Sequence, residues 1–200
     1  MLSKINDEKK INSKRISSSN ELNFLKLKNT ESSVTCYGRP SKKDLSNFKK
    51  DYNINLILTL QGEQEKPEEI GKACAENSIE WLHFPVMGAG NFTLLKIKDQ
   101  LIELYIYLFK RLKTERIKLF VHCAAGVHRT GVFLYGLIRL SGENSEDSYS
   151  LLKVIRAHTY NHVGKERISF FETAITKSLL KGFYGNEYKE EKKQILEESI

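Results

Sequence analysis

Only three prolines and three cysteines occur among the 200 residues, and no apolar run approaches the length of a membrane span. Each scarcity removes something. A bilayer-crossing helix needs about 20 consecutive apolar residues, so no membrane partner is expected. The cysteines Cys36, Cys74 and Cys123 are odd in number and contain no Cys-x-x-Cys pair. Neither a disulfide framework nor a zinc ribbon is therefore expected, and reduced thiols are the natural state. The opening MLSKINDEKK has neither the apolar run nor the small-residue cleavage site of a secretory signal. The expected compartment is the cytoplasm or the nucleus. Internal repeats are absent as well.

What remains is the composition of a soluble globular protein: 40% hydrophobic and 28% charged residues. The length suits one domain with tails, and a chain of this size buries about 70% of its extended surface. The net charge is +7. Such a charge attracts phosphorylated partners, nucleic acid or anionic surfaces. Lys and Arg are scattered beside Glu, however, so most of it reads as solvated surface. Residues 1–20 are rich in Lys, Ser and Asn and read as a disordered arm. Residues 21–184 read as the folded domain, and 185–200 as a charged tail or surface helix.

Strand and helix patterns alternate within that domain. INLILTL (54–60) is a nearly continuous apolar run, as expected of a strand covered on both faces. IEWLHF (79–84) and IKLFVHC (117–123) read as further strands, and SVTCY as a short one before a turn at Gly38-Arg39-Pro40. Ser41 is a candidate N-cap, with Asp44 at the capping-box spacing. Apolar residues from Leu94 to Leu112 recur at helical spacing, as do those of ERISFFETAITKSLL. The predicted fold class is α/β, a mostly parallel central sheet flanked by helices. Ligand sites in such sheets lie beyond the carboxyl ends of the strands.

One stretch sits there: VHCAAGVHRTG, residues 121–131. With a strand ending at Cys123 and a helix starting near Arg129, the residues Ala124, Ala125, Gly126, Val127 and His128 must curl tightly. Such a loop turns successive N–H groups inward as an anion nest, and the helix behind it adds its positive end. Arg129 supplies a planar, permanently charged fork for phosphate oxygens. A thiolate is the nucleophilic form of cysteine, and helix N-termini with cationic neighbours favour it. Cys123 is thus the candidate nucleophile, able to attack phosphorus and form a phosphocysteine that water then hydrolyses. Thr130 is placed to hydrogen-bond the sulfur, and His122 to orient the cysteine through the backbone. The plainer reading of a buried cysteine is a small hydrophobe. Its company of His, Gly, Arg and Thr between strand and helix argues against that.

These residues resemble the signature of the protein tyrosine phosphatase superfamily, His-Cys, five residues, Arg-Ser/Thr, and the chain is similar to its dual-specificity phosphatases. YGRPSKKDLSNFKKDYNINLILTL, IEWLHFP and IRAHTYNHVGKERISFF extend the likeness over about residues 34–182. The resemblance implies Cys123 as nucleophile, Arg129 as phosphate clamp and the backbone of Ala124 to Arg129 as cradle. It implies no metal or cofactor. The implied substrate is a phosphorylated protein, carrying phosphotyrosine and by extension phosphoserine or phosphothreonine. It places Arg156, His158, Asn161 and His162 where relatives position water or bind substrate, with Asn161 the first choice.

One feature of the family pattern is missing. Relatives carry an aspartate, the general acid, in the loop after the IEWLHFP strand; here Val86 and Met87 stand in that stretch. Asp99, Glu63, Glu65 and His128 are the remaining candidates. Asp99 falls within a helix, and the two glutamates read more plainly as solvated loop charges. His128 either contacts substrate, assists protonation or packs at the loop mouth. General-acid help is worth about 10²–10⁴-fold and matters least for a good leaving group such as phosphate. The missing acid therefore opens phosphoanhydrides as alternative substrates: an RNA 5′ end or an inositol pyrophosphate, both handled by relatives of this superfamily. A non-catalytic phosphate-binding module is the alternative from a different class. Cys36 and Cys74 read as inert, although a thiol close to Cys123 would be able to protect it as a reversible disulfide. Trp81 reads as core or strand packing, and Arg39 either braces the site or caps a turn, the structural role being the plainer reading.

Overall fold

The computed structural model describes residues 21–185. The predicted arm at 1–20, and the tail from 186 onward, lie outside the described residues. Five strands are β1 (Leu25–Lys26), β2 (Ser33–Tyr37), β3 (Leu56–Thr59), β4 (Glu80–His83) and β5 (Lys118–His122). They form one sheet in the order β1-β2-β5-β3-β4, antiparallel only between β1 and β2. The mostly parallel α/β architecture expected from the alternating patterns is thus what forms. β5 lies at the centre, so the turn that follows it opens at the middle of the sheet's carboxyl edge.

The sheet is apolar on both faces because its strands are covered on both. Leu56 and Leu58 of β3, with Leu119, Val121 and Cys123, belong to the larger core cluster. Ile57 and Phe120 point the other way into a smaller one. The smaller cluster is closed by α1 (Lys42–Tyr52) and α2 (Glu68–Glu76), which contribute Leu45, Phe48, Ile70, Ala73 and Cys74. The larger is closed by α3 (Asn91–Lys96), α4 (Lys98–Thr114), α5 (His128–Leu140), α6 (Ser145–Ile155), α7 (Ala157–His162) and α8 (Lys165–Phe171). α5 carries ten buried residues and is the central helix of that layer. It fills its surroundings closely: Tyr105 stacks on Phe133 with ring centroids 4.6 Å apart and donates to the Phe133 carbonyl at 2.9 Å.

Local signals act as read. Ser41 caps α1 in a capping box, its N–H donating to Asp44 Oδ2 at 2.7 Å and its hydroxyl accepting from the Asp44 N–H. Two helices differ from expectation. The continuous stripe from Leu94 to Leu112 is broken at Ile97 (φ −106°, ψ 13°), which separates α3 from α4. The apolar period survives the break because Leu94 and Leu101 still enter one core, so periodicity alone does not show it. The last helix passes through a π-helical turn at Glu172–Thr176 before α-helix resumes over 177–185.

Candidate active site

Residues 123–127 join β5 to α5, and their hydrogen bonds define their shape. Every carbonyl of the turn is taken from outside. His122 Nδ1 meets the Cys123 carbonyl at 3.2 Å. The Arg39 N–H donates to the Ala124 carbonyl at 2.9 Å. Arg156 Nη1 donates to the carbonyls of Ala125 and Gly126, each at 3.1 Å. The Thr159 hydroxyl donates to the Gly126 carbonyl at 2.7 Å, and the Gly131 N–H to that of Val127 at 2.7 Å. Among the described residues no protein acceptor takes the N–H groups of Ala124 to Arg129. Amides without acceptors ahead of a helix N-terminus are the arrangement an anion nest uses.

Gly126 makes the turn possible. Its φ is +67°, and a Cβ there would fall inside the Tyr37 carbonyl and crowd the Gly38 N. Tyr37 and Gly38 follow β2, so the cradle is braced against the neighbouring strand. Arg156 completes the brace, its guanidinium 3.9 Å over the Tyr37 ring.

Arg129 is held from one side only. Its Nη2 donates to Glu65 Oε1 at 2.9 Å and its Nη1 to Glu65 Oε2, closing a fork-to-fork pair. Nη1 also reaches the carbonyls of Leu60 at 3.1 Å and Val86 at 3.0 Å. None of these four bonds uses Nε. Burial works against the guanidinium charge, but the hydrogen bonds to Glu65 and the charges of Cys123 and Glu65 outweigh it, and its pKa is raised. Cys123 itself is buried at the base of the cradle.

Glu65 corrects the reading of it as a solvated loop charge. The 3₁₀ turn Glu63–Glu65 carries it to the arginine. The Gly62 N–H donates to Glu65 Oε2 at 2.8 Å, and Gln61 Nε2 approaches Oε1 at 3.4 Å. Hydrogen bonds from Arg129 are the chief cause that lowers its pKa to about 2, against the opposing pull of burial. A carboxylate so firmly ionised carries no proton to give, so Glu65 positions the arginine and is not a general acid. Arg39 fixes the same turn: its guanidinium donates to the Glu65 carbonyl, to the Lys66 carbonyl at 3.0 Å and to Glu69 Oε2 at 2.7 Å. Glu63 is exposed, and Asp99 is exposed in the first turn of α4.

His122 is fully buried and belongs to a chain that runs under the cradle. Trp81 Nε1 donates to Thr59 Oγ1 at 2.8 Å, and Thr59 Oγ1 lies 2.8 Å from His122 Nε2. Since a carbonyl only accepts, His122 Nδ1 carries the proton toward Cys123, and Nε2 accepts from Thr59. Burial is the largest influence on this imidazole and lowers its pKa to about 3, so it is neutral. Trp81, read as packing, thus also fixes a tautomer; it needs the β3–β4 register, Ile57 beside Trp81, to come into reach.

Thr130 departs from expectation. Its side chain is fully buried in the first turn of α5, yet the hydroxyl has no hydrogen-bond partner among the described residues, the sulfur included. His128 is exposed at the cradle mouth. Its pKa is lowered, first by burial and then by Arg167, with a hydrogen bond to the His162 backbone opposing. Asn161 is exposed on α7. Cys36, on β2 beside Val121, has its thiol pushed up to about 11, chiefly by burial. Cys74 is pushed up to about 12 by burial and lies in the cluster on the opposite face of the sheet from Cys123. Across the β4–α3 loop, Val86 is buried and Met87 is 65% exposed.

No family model matches the chain, and no curated protein matches it in sequence. Solved structures do. Tk-PTP in its active form superposes with a TM-score of 0.56 at 16% identity, over 78% of this chain and 97% of that one. The core catalytic domain of the PP-IP phosphatase SIW14 from S. cerevisiae, in complex with citrate, gives 0.57 at 18% identity, over 84% and 94%. PTPMT1 in complex with PI(5)P gives 0.57 at 16% identity, over 82% and 98%. At such identities the likeness establishes architecture alone: the chain shares the fold of these phosphatase structures.

Proposed function

We propose that this protein is a cysteine-dependent phosphatase and that its preferred bond is a phosphoanhydride. The observation that carries the first half is the set of amides from Ala124 to Arg129, which have no protein acceptor among the described residues while the carbonyls of the turn are bonded from outside it. A tetrahedral phosphoryl group held by those amides meets Arg129 as well. The Cys123 sulfur, as thiolate, attacks phosphorus; the bond to the leaving oxygen breaks, and the electron pair departs with that oxygen. Water then attacks the phosphocysteine, the P–S bond breaks and inorganic phosphate leaves. The amides and Arg129 stabilise the equatorial oxygens in both steps, a form of stabilisation worth several kcal/mol per donor. The unpartnered hydroxyl of Thr130 becomes a donor to the departing sulfur in the second step, which gives a buried orphan group a reason to be there.

The second half rests on what faces the leaving group. Glu65 is ionised and bound to Arg129, and the loop after β4 offers the Val86 backbone and the Met87 side chain. A leaving phosphate has a second pKa near 6 and departs without an acid, whereas a tyrosine phenolate has a conjugate-acid pKa near 10. Inositol pyrophosphates and RNA 5′-triphosphate ends both fit, and the likeness to a PP-IP phosphatase supports the former. Phosphotyrosine on a protein is the second reading. Exposed Met87, Phe92 and Leu95 favour it, because they lie on the segment whose Val86 and Leu94 pack beside Arg129 and would receive apolar neighbours of a phosphorylated side chain.

Steady-state rates on an aryl phosphate, a phosphotyrosyl peptide, triphosphate-ended RNA and an inositol pyrophosphate test both halves. Cys123→Ser loses at least about 10³-fold on every active substrate; equal rates remove the enzyme. An anhydride preference of about 100-fold or more over the peptide is expected from the absent acid; a peptide preference selects the second reading.

A further inference from the structure

One chain of hydrogen bonds reaches the cradle from the edge of the sheet. It starts at Trp81 on β4, passes through Thr59 on β3 and His122 on β5, and ends at the Cys123 carbonyl. Trp81 Nε1 donates to Thr59 Oγ1 at 2.8 Å, Thr59 Oγ1 lies 2.8 Å from His122 Nε2, and His122 Nδ1 lies 3.2 Å from the carbonyl. Strand register sets the links in line. Thr59 stands directly beside His122 on one side and His83 on the other, and Trp81 is two residues before His83 on the same face.

The two ends give the chain a direction. An indole N–H only donates and a carbonyl only accepts. His122 therefore carries a proton on Nδ1. The ring is fully buried, and burial above all, then the charges of Arg39 and Arg129, holds its pKa down to about 3 against the backbone hydrogen bond to Cys123 and the charge of Glu65. Nε2 is then bare and accepts. The single proton of the Thr59 hydroxyl goes to it, while the oxygen accepts from Trp81.

The head of the chain is seated by its neighbours. A Cβ on Gly71 of α2 would stand 2.5 Å from Trp81 Cε3. Glycine inside a helix is unfavourable, and here the missing side chain admits the indole. The same ring stacks on His83, centroids 5.4 Å apart at 7°.

The tail of the chain acts on the cradle. The Cys123 carbonyl and the Ala124 N–H belong to one peptide unit, which is trans and planar, so its two polar bonds point opposite ways. Whatever fixes that carbonyl also fixes the first amide after the nucleophile. A proton on Nε2 instead of Nδ1 would set a ring lone pair against the carbonyl oxygen, and the unit would turn. The hydroxyl proton of Thr59 stands where that Nε2 proton would be.

We propose that Thr59 and Trp81 are positioning residues of phosphoryl transfer: by imposing the Nδ1–H tautomer on His122, they hold the peptide unit that joins the nucleophile to its cradle. The inference rests on the phosphatase reading and extends it to two residues outside the 121–131 loop.

The test pairs ring spectra with rates in the full chain. Proton–nitrogen correlation spectra of the wild type show His122 protonated at Nδ1 and bare at Nε2. Thr59→Val keeps the branched shape but takes away the donor to Nε2. His122 then populates its other tautomer, and kcat/KM on an aryl phosphate falls on the order of tenfold, part of what a misplaced group costs. Thr59→Ser recovers most of the rate and the wild-type ring spectrum. Trp81→Phe frees the hydroxyl to turn and gives a smaller loss of the same kind; it carries the test where thermal melting shows Thr59→Val unfolded. Orthophosphate affinity, measured by calorimetry, follows the same order and needs no turnover. A wild-type ring protonated at Nε2, or at both nitrogens, overturns the proposal. A loss in Thr59→Val with the tautomer unchanged, or one that Thr59→Ser shares, overturns it as well, because packing would then be the cause. So does a changed tautomer with rate and affinity intact. Wild-type turnover no better than that of Cys123→Ser removes the phosphatase reading instead, and the spectra and phosphate affinities still judge the chain.

Discussion

The loop after β5 and the loop after β4 flank the same guanidinium and are built by opposite rules. In the first, each carbonyl from Cys123 to Val127 has a donor, supplied by side chains or backbone of five other residues. In the second, Val86 gives its carbonyl to Arg129 and is buried, but Met87 next to it stands in solvent. On the proposed reading the first loop receives the phosphoryl group, while the second closes off the arginine and carries no carboxyl side chain at Val86 or Met87. That reading concentrates stabilisation on the oxygens that stay with phosphorus and favours a leaving group that departs unaided.

The harshest way to break the contrast is to spoil the first loop. Gly126→Ala places a methyl group where the Tyr37 carbonyl is, at a φ of +67°. Backbone cannot yield as a flexible side chain does, so the turn shifts and the amides lose their common focus. Misplacement by about 1 Å costs on the order of 10²-fold. kcat/KM on any accepted substrate falls by at least that much, while the thermal midpoint falls only modestly; an unchanged rate would show that the ring of amides is not the receptor.

Much of this arrangement is legible before any coordinates. Periodic apolar runs announce β3 and β5, and Cys123, Gly126 and Arg129 announce the cradle, because strand, turn and helix there are consecutive in the chain. What escapes is whatever depends on packing between distant segments. Glu65 and Arg129 are 64 residues apart, and nothing in GEQEKPEE separates the glutamate that binds an arginine from those that face water. Trp81 reaches His122 only across two strand neighbours of β3. The Ile97 break hides in an apolar pattern that either a bent or a straight helix would satisfy.

A gentler perturbation acts on the guanidinium between the two loops. Glu65→Gln keeps the shape but removes the charge, so Arg129 is held by weaker bonds. kcat/KM falls by roughly tenfold, because a looser clamp forfeits part of its orientation. Stability carries a pH signature. The folded-state pKa of Glu65 is lowered to about 2 and the ordinary value is near 4.3. Its contribution is full above the ordinary carboxylate range and is lost as pH falls toward 2. Discounted for partial exposure, it is on the order of 1–3 kcal/mol. Denaturant melts of both proteins therefore differ most at pH 6 to 7 and converge only as pH falls to about 2; a gap that stays constant with pH would deny the pair its place.

The smallest expected effect comes from the other direction, by giving the second loop what it lacks. Met87 is exposed, follows the residue whose carbonyl meets Arg129, and has its Sδ 2.5 Å from where a Gly62 Cβ would stand. Met87→Asp puts a carboxyl group on the leaving-group side without disturbing the core. An acid placed without refinement recovers only part of the 10²–10⁴-fold that a positioned one supplies. The rate on a phosphotyrosyl peptide accordingly rises by about threefold to tenfold, the rate on a phosphoanhydride does not, and an alkaline limb appears in the pH profile of the peptide reaction alone. If both substrates respond alike, the new charge acts through the field at Arg129, and the bare loop is not what sets the choice of leaving group.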